Sequence, residues 1–121
     1  MANILVTDDS AFLRKRTCNI ISAEHHHLLE AVDGFDCIQK LEEEKPDVLF
    51  LDLLMPNMDG FEVLEYMQKN HWVTPTIVLT ADIQEGVAER CKSLGAIAYL
   101  NKPPKAEEVL AALDLALGAG V

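Results

Sequence analysis

The stretch that most constrains this chain is Val48-Leu49-Phe50-Leu51-Asp52. Its first four residues are apolar, so a strand built from them buries both faces. Such strands belong in parallel sheets covered by helices on either side. An acid then closes the run, and Met55 to Gly60 reads as a loop leaving the strand. The pattern delivers a carboxylate on a rigid element to the edge of a sheet.

The rest of the chain repeats the alternation of short apolar runs and amphipathic segments. Asn3 to Thr7 predicts a strand, and Ser10 caps a helix to about Ala23, with Leu13, Thr17, Ile20 and Ile21 inward. His27 to Ala31 is a weaker strand signal. Asp33-Gly34 opens a helix carrying Cys37, Ile38 and Leu41; Glu42-Glu43-Glu44-Lys45 is its exposed end and Pro46 stops it. Gly60 to Lys69 predicts a third helix and Thr76 to Leu79 a fourth strand. Ile83, Val87, Cys91 and Leu94 fall at spacings of 4, 4 and 3, one face of a helix that Gly95 ends. Ile97 to Leu100 predicts a fifth strand, and Val109, Leu110, Leu113 and Leu117 line a last helix. The order βαβαβαβαβα implies an α/β fold, a doubly wound five-stranded parallel sheet with five helices. Right-handed crossovers favour the flavodoxin-like strand order 2-1-3-4-5.

With 121 residues, the chain is expected to form a single domain over 1–121. Its 20 acidic and 10 basic side chains give a formal net charge of -10, which argues against a nucleic-acid or anionic-membrane surface. Arg14-Lys15-Arg16, the only basic triplet, is expected to be a solvated helix face. Three cysteines, Cys18, Cys37 and Cys91, without a CxxC pair point to reduced, buried thiols in a cytoplasmic protein. No apolar run approaches the roughly 20 residues of a membrane span. Asp8 and Asp9 arrive too early for a signal peptide. The tail Gly118-Ala119-Gly120-Val121 reads equally as a simple end or as the stump of a linker.

In open sheets of this class, sites form beyond the carboxyl ends of the strands, near the switch in strand order. Those ends carry Asp8 and Asp9, Asp52, Thr80, and Lys102. Each alone has an ordinary explanation: Asp9 or Ser10 as a helix cap, Lys102 as a solvated loop residue, Thr80 as a strand end. All five at one edge do not share such an explanation. Three clustered carboxylates favour a divalent cation, and an all-oxygen set suits Mg²⁺. Asp52 can act as a nucleophile and form an aspartyl-phosphate. Lys102 can pair with a phosphoryl oxygen, and Thr80 can donate a hydrogen bond to another. Phosphoryl transfer needs mainly such positioning and charge neutralisation.

Asp8-Asp9-Ser10, "LDLLMPNMDG", Thr80-Ala81 and "YLNKP" together resemble the receiver domain of two-component response regulators, over essentially the whole chain. The resemblance implies that Asp52 is the phosphoacceptor. It implies that Asp9, Asp52 and the backbone carbonyl of Leu54 bind Mg²⁺ directly, with Asp8 acting through metal-bound water. Lys102 would contact the phosphoryl group. Thr80 would move toward it while Tyr99 turns inward behind, a two-state switch biased by a local charge change. Pro103 would follow a cis peptide bond, and Pro56 and Gly60 would shape the loop after the nucleophile. The surface expected to change is helix four, strand five and helix five. Implied partners are a sensor histidine kinase or histidine phosphotransfer protein as donor and a downstream protein target, in chemotaxis or a phosphorelay. A monomer is expected, with dimerisation on phosphorylation as an option.

Three features depart from the common pattern. Leu54, two after Asp52, has no polar group to orient a hydrolytic water, which implies a longer-lived phosphorylated form. Asp82, a short acid, stands two after Thr80. "KPPK" replaces the more frequent Lys-Pro-Phe, so the start of the last helix is expected to differ. His25-His26-His27 reads as a polar turn and not a metal site, because neighbours on a strand point to opposite sides. Trp72 reads as a loop packing residue. Three alternatives remain at this point. One is a receiver cut from a larger regulator, and another is a receiver that works without phosphorylation. The third is a Mg²⁺-dependent aspartyl phosphohydrolase, which would want an acid where Leu54 stands.

Overall fold

The computed structural model describes residues 1–81 and 84–119. The expectations for Asp82, Ile83, Gly120 and Val121 lie outside the described residues. The chain order is β1 (Asn3–Thr7), α1 (Ala11–Ser22), β2 (His27–Ala31), α2 (Gly34–Glu44), β3 (Val48–Asp52), α3 (Gly60–Lys69), β4 (Thr76–Thr80), α4 (Val87–Ser93), β5 (Ala98–Asn101) and α5 (Ala106–Ala119). All strands pair in parallel, in the order β2-β1-β3-β4-β5. This is the expected flavodoxin-like architecture.

Period-two alternation divides the sheet between two cores. Leu5, Leu49, Leu51 and Val78 face Cys37 and Leu41 of α2, Val63, Leu64 and Met67 of α3, and Val87 and Cys91 of α4. Ile4, Val6, Val48, Phe50, Ile77 and Leu79 face Cys18 and Ile21 of α1 and Val109, Leu113 and Ala116 of α5. Every residue of β3 and β4 is buried, as the doubly apolar run required.

Local signals set the helix ends. Ser10 caps α1, its hydroxyl accepting from the Leu13 N–H at 3.3 Å. Asp59 and Glu62 form a reciprocal capping box on α3. Within α1 the inward residues are Thr17, Cys18 and Ile21, with Leu13 and Ile20 half-buried. The fourth helix, α4, begins at Val87 and carries Cys91, with Leu94 as its C-cap, as the spacing of those residues indicated. Gly86, at its N-cap, adopts φ +88, a left-handed conformation open to glycine. At the other end the Gly95 and Ala96 N–H groups reach back to the Lys92 and Cys91 carbonyls, as Gly95 adopts φ +101.

Candidate functional site

The exchange of neighbours at β1 and β3 brings Asp8 and Asp52 together. Asp52 is the last residue of β3, paired with Leu79 of β4, so the strand reaches one residue further than the apolar run. Asp8 follows β1 and is held on all sides. Its N–H donates to the Ala31 carbonyl at 3.1 Å, and its Oδ1 accepts from the Ser10 N–H at 2.9 Å. Both carboxylates are buried, whereas Asp9 is exposed. One carboxylate oxygen from each of Asp8, Asp9 and Asp52 lies within 4.8 Å of the others. This hard, all-oxygen set fits Mg²⁺, and the exposed Asp9 opens it to water.

Lys102 supplies the balancing charge. Its Nζ lies 2.6 Å from Asp8 Oδ2 and 3.1 Å from Asp52 Oδ2. Burial pushes the Asp52 carboxyl up to about 7; the Asp8 charge adds to the rise, and Lys102 and the Leu54 N–H oppose it. The Leu54 N–H donates to Asp52 Oδ1 at 3.3 Å. Leu54 itself is exposed at the mouth of the site.

The loop after Asp52 is folded tightly on the strand it leaves. Asn57 adopts φ +70, and the Met58 N–H donates to the Pro56 carbonyl at 2.8 Å. The Gly60 N–H turns back to the Leu53 carbonyl at 2.9 Å. A Cβ on Gly60 would lie 2.5 Å from the Asp52 carbonyl oxygen and 2.8 Å from Leu53 Cα. Glycine is therefore required by proximity.

Thr80 is buried at the end of β4, beside Asn101, and its carbonyl accepts the Lys102 N–H at 2.9 Å. Tyr99 stands on β5 opposite Val78, half-buried against the core under α4. The Lys102–Pro103 peptide is cis. Pro104 is buried and α5 starts only at Ala106, in keeping with the unusual "KPPK".

The basic triplet is not a uniformly solvated face. Arg14 and Lys15 both pair with Glu30 of β2, and Arg14 also donates to the Asp8 carbonyl. Arg16 reaches the Pro104 carbonyl at 3.3 Å. A charged triplet looks the same in sequence whether solvated or bonded, and only the meeting of α1 with β2 distinguishes the cases. His26 accepts the Ala2 N–H on Nδ1, and the histidine triplet joins no metal-binding cluster among the described residues. Trp72 packs edge-on to Tyr66 as a loop residue. The three cysteines are unpaired and buried, which pushes Cys18 to about 11 and Cys37 to about 12. Sequence reasoning also missed an exposed apolar rim. Phe12, Val32, Phe35 and Leu54 all lie in or beside strand-to-helix connections at the carboxyl edge.

A family model described as the response regulator receiver domain matches residues 4–114. The chemotaxis protein CheY of Listeria monocytogenes is 33% identical over 117 residues, covering 96% of this chain and 98% of that protein. The transcriptional regulatory protein PdtaR of Mycobacterium tuberculosis is 31% identical over 115 residues, covering 94% of this chain; the chain spans 56% of PdtaR's length. The receiver domain of a Luxo repressor protein from Vibrio parahaemolyticus superimposes with a TM-score of 0.94 at 28% identity, covering 98% of this chain and 92% of that one. No helix among the described residues is long and apolar enough to cross a membrane.

Proposed function

Because the chain belongs to the response regulator receiver family, we propose that it is a phosphorylation-dependent signalling switch with Asp52 as phosphoacceptor. The observation that carries this reading is the cluster itself: three carboxylates within 4.8 Å, with one ammonium spanning Asp8 and Asp52. Asp9, Asp52 and the Leu54 carbonyl would hold Mg²⁺ directly, and Asp8 through water. Bound there, Mg²⁺ would supply positive charge to the phosphoryl oxygens.

A carboxylate oxygen of Asp52 attacks the phosphorus of a phosphohistidine on the donor. The P–N bond breaks, and the departing imidazole takes up a proton. Lys102 pairs with one phosphoryl oxygen, and the Thr80 hydroxyl turns to donate to another. Tyr99 follows inward, changing the surface of α4, β5 and α5 that a downstream protein reads. The donor is a sensor histidine kinase or histidine phosphotransfer protein, and Phe12, Val32, Phe35 and Leu54 give it an apolar rim to rest against. The output is a chemotaxis or phosphorelay step made by protein contact. The switch works as a monomer in its resting form, with dimerisation open to the phosphorylated one. The three buried thiols suit the reducing cytoplasm.

Residues 1–121 read as one receiver domain. Among its relatives such a domain makes up nearly all of CheY and about half of PdtaR, so activity beyond the switch depends on the protein that carries it. As a module the chain promotes its own phosphorylation and dephosphorylation. The test is exposure to acetyl phosphate with Mg²⁺, read by intact mass. One phosphoryl adduct is expected on the natural chain and none on Asp52→Ala. Absence of the first, or persistence of the second, overturns the reading.

A further inference from the structure

Phosphoryl transfer as described leaves one nearby charged residue without a role. Arg14 lies in α1 with its side chain only 11% exposed. Its Nη1 donates to the Asp8 carbonyl at 2.8 Å, and its Nε donates to Glu30 Oε1 at 2.8 Å. Glu30 precedes Ala31, whose carbonyl accepts the Asp8 N–H at 3.1 Å. The end of β2 therefore holds both peptide groups of Asp8, the first directly and the second through Glu30 and Arg14.

The second of these matters for the site. The Asp8 carbonyl lies in the rigid plane that leads into Asp9, so fixing it fixes the direction in which Asp9 leaves the chain. Asp52 is steadied by Leu54 and Lys102, and Asp8 by Ser10 and Lys102. Asp9 is exposed, and no hydrogen bond steadies its carboxylate among the described residues. Its backbone alone aims it.

We propose that Arg14, oriented by Glu30, is a positioning residue for the acidic site, holding the Asp8–Asp9 peptide so that Asp9 points at a cation shared with Asp52. The proposal rests on the phosphoacceptor reading above. Charge alone does not account for the arrangement. A guanidinium beside a cation site weakens cation binding, and Glu30 offsets that charge. The two explanations give opposite signs: without Arg14, electrostatics tightens Mg²⁺ binding, and loss of positioning weakens it.

The experiment is calorimetric titration of Mg²⁺ alone into the full chain, with amide exchange at Asp9 and Ser10 as a second readout. Arg14→Ala is expected to bind Mg²⁺ about tenfold more weakly and to exchange those amides faster. Arg14→Lys, able to reach one partner only, falls between. Lys15→Ala removes the same charge and also frees Glu30 from a 2.6 Å pair, but it does not touch Asp8. Its affinity is expected to stay the same or rise. Unchanged or tighter binding in Arg14→Ala, or an equal loss in Lys15→Ala, overturns the proposal. If Arg14→Ala does not fold, Arg14→Lys and Glu30→Gln carry the test, and natural affinity in both overturns it. A natural chain that binds Mg²⁺ but takes no phosphoryl group would instead overturn the phosphoacceptor reading and leave the role of Arg14 standing.

Discussion

Lys102 Nζ sits 2.6 Å from Asp8 Oδ2, joining the connection after β5 to the connection after β1 across 94 residues of chain. The same ammonium lies 3.1 Å from Asp52, so one cation serves two buried acids. Removing it leaves like charges facing each other in a poorly solvated place. Lys102→Ala is expected to lose about 1–3 kcal/mol of stability in Mg²⁺-free buffer. Added Mg²⁺ should raise the variant's Tm more than the natural chain's, because the ion replaces the missing charge. Thermal melts with and without Mg²⁺ check this; equal shifts in the two proteins would count against it.

The raised Asp52 carboxyl has a definite consequence for stability. In the unfolded chain it titrates near 3.8, and in the fold at about 7. Between those values the folded state binds more protons, so metal-free stability falls as pH rises through this window. Asp52→Asn removes the penalty. The variant should be more stable than the natural chain at pH 8 by on the order of 1 kcal/mol or more, with the gap closing toward pH 4. Urea midpoints at several pH values in a chelating buffer measure it, and a gap independent of pH would refute the assignment.

Protons and Mg²⁺ compete for the same oxygens. With Asp52 titrating at about 7, Mg²⁺ affinity should be about tenfold weaker at pH 6 than at pH 8. Calorimetry at the two pH values tests this directly.

Gly60 meets the backbone of the strand that ends in Asp52. Its substitution by alanine would put a Cβ 2.5 Å from the Asp52 carbonyl oxygen, and neither backbone can yield easily. Gly60→Ala is expected to cost about 1–3 kcal/mol and to slow labelling by acetyl phosphate. Labelling at the natural rate in a destabilised variant would show that the strand end is not displaced.

Leu54 is exposed at the mouth of the site and offers only a backbone N–H to Asp52. A carboxamide there could hold a water in line with the aspartyl-phosphate. Leu54→Asn is expected to shorten the lifetime of the phosphorylated form several-fold, measured as decay of the intact-mass adduct. An unchanged decay would mean that Leu54 does not set the lifetime.

Much of the fold was legible because its signals are local. β1, β2 and α3 begin and end at the residues that caps, alternation and turn residues indicated. Asp8, Asp9, Asp52, Thr80 and Lys102 were legible as a group because parallel topology sends every strand end to one edge. Two things were hidden for physical reasons. The start of α4 depends on the sign of φ at Gly86, which apolar spacing cannot register. The bonds of Arg14 depend on where β2 lies beside α1, a contact 16 residues apart in sequence between groups that are equally at home in water.

The reach of Lys102 back to Asp8 also orders events during synthesis. Asp52 leaves the ribosome well before Lys102, and β4 and β5 must still be added to the sheet before the ammonium arrives. An incomplete chain carries the acid without the cation that tempers it or the threonine that ends β4. Charge balance at the end of β3 is thereby tied to completion of the sheet: the ammonium that stands between Asp8 and Asp52 is among the last parts to arrive.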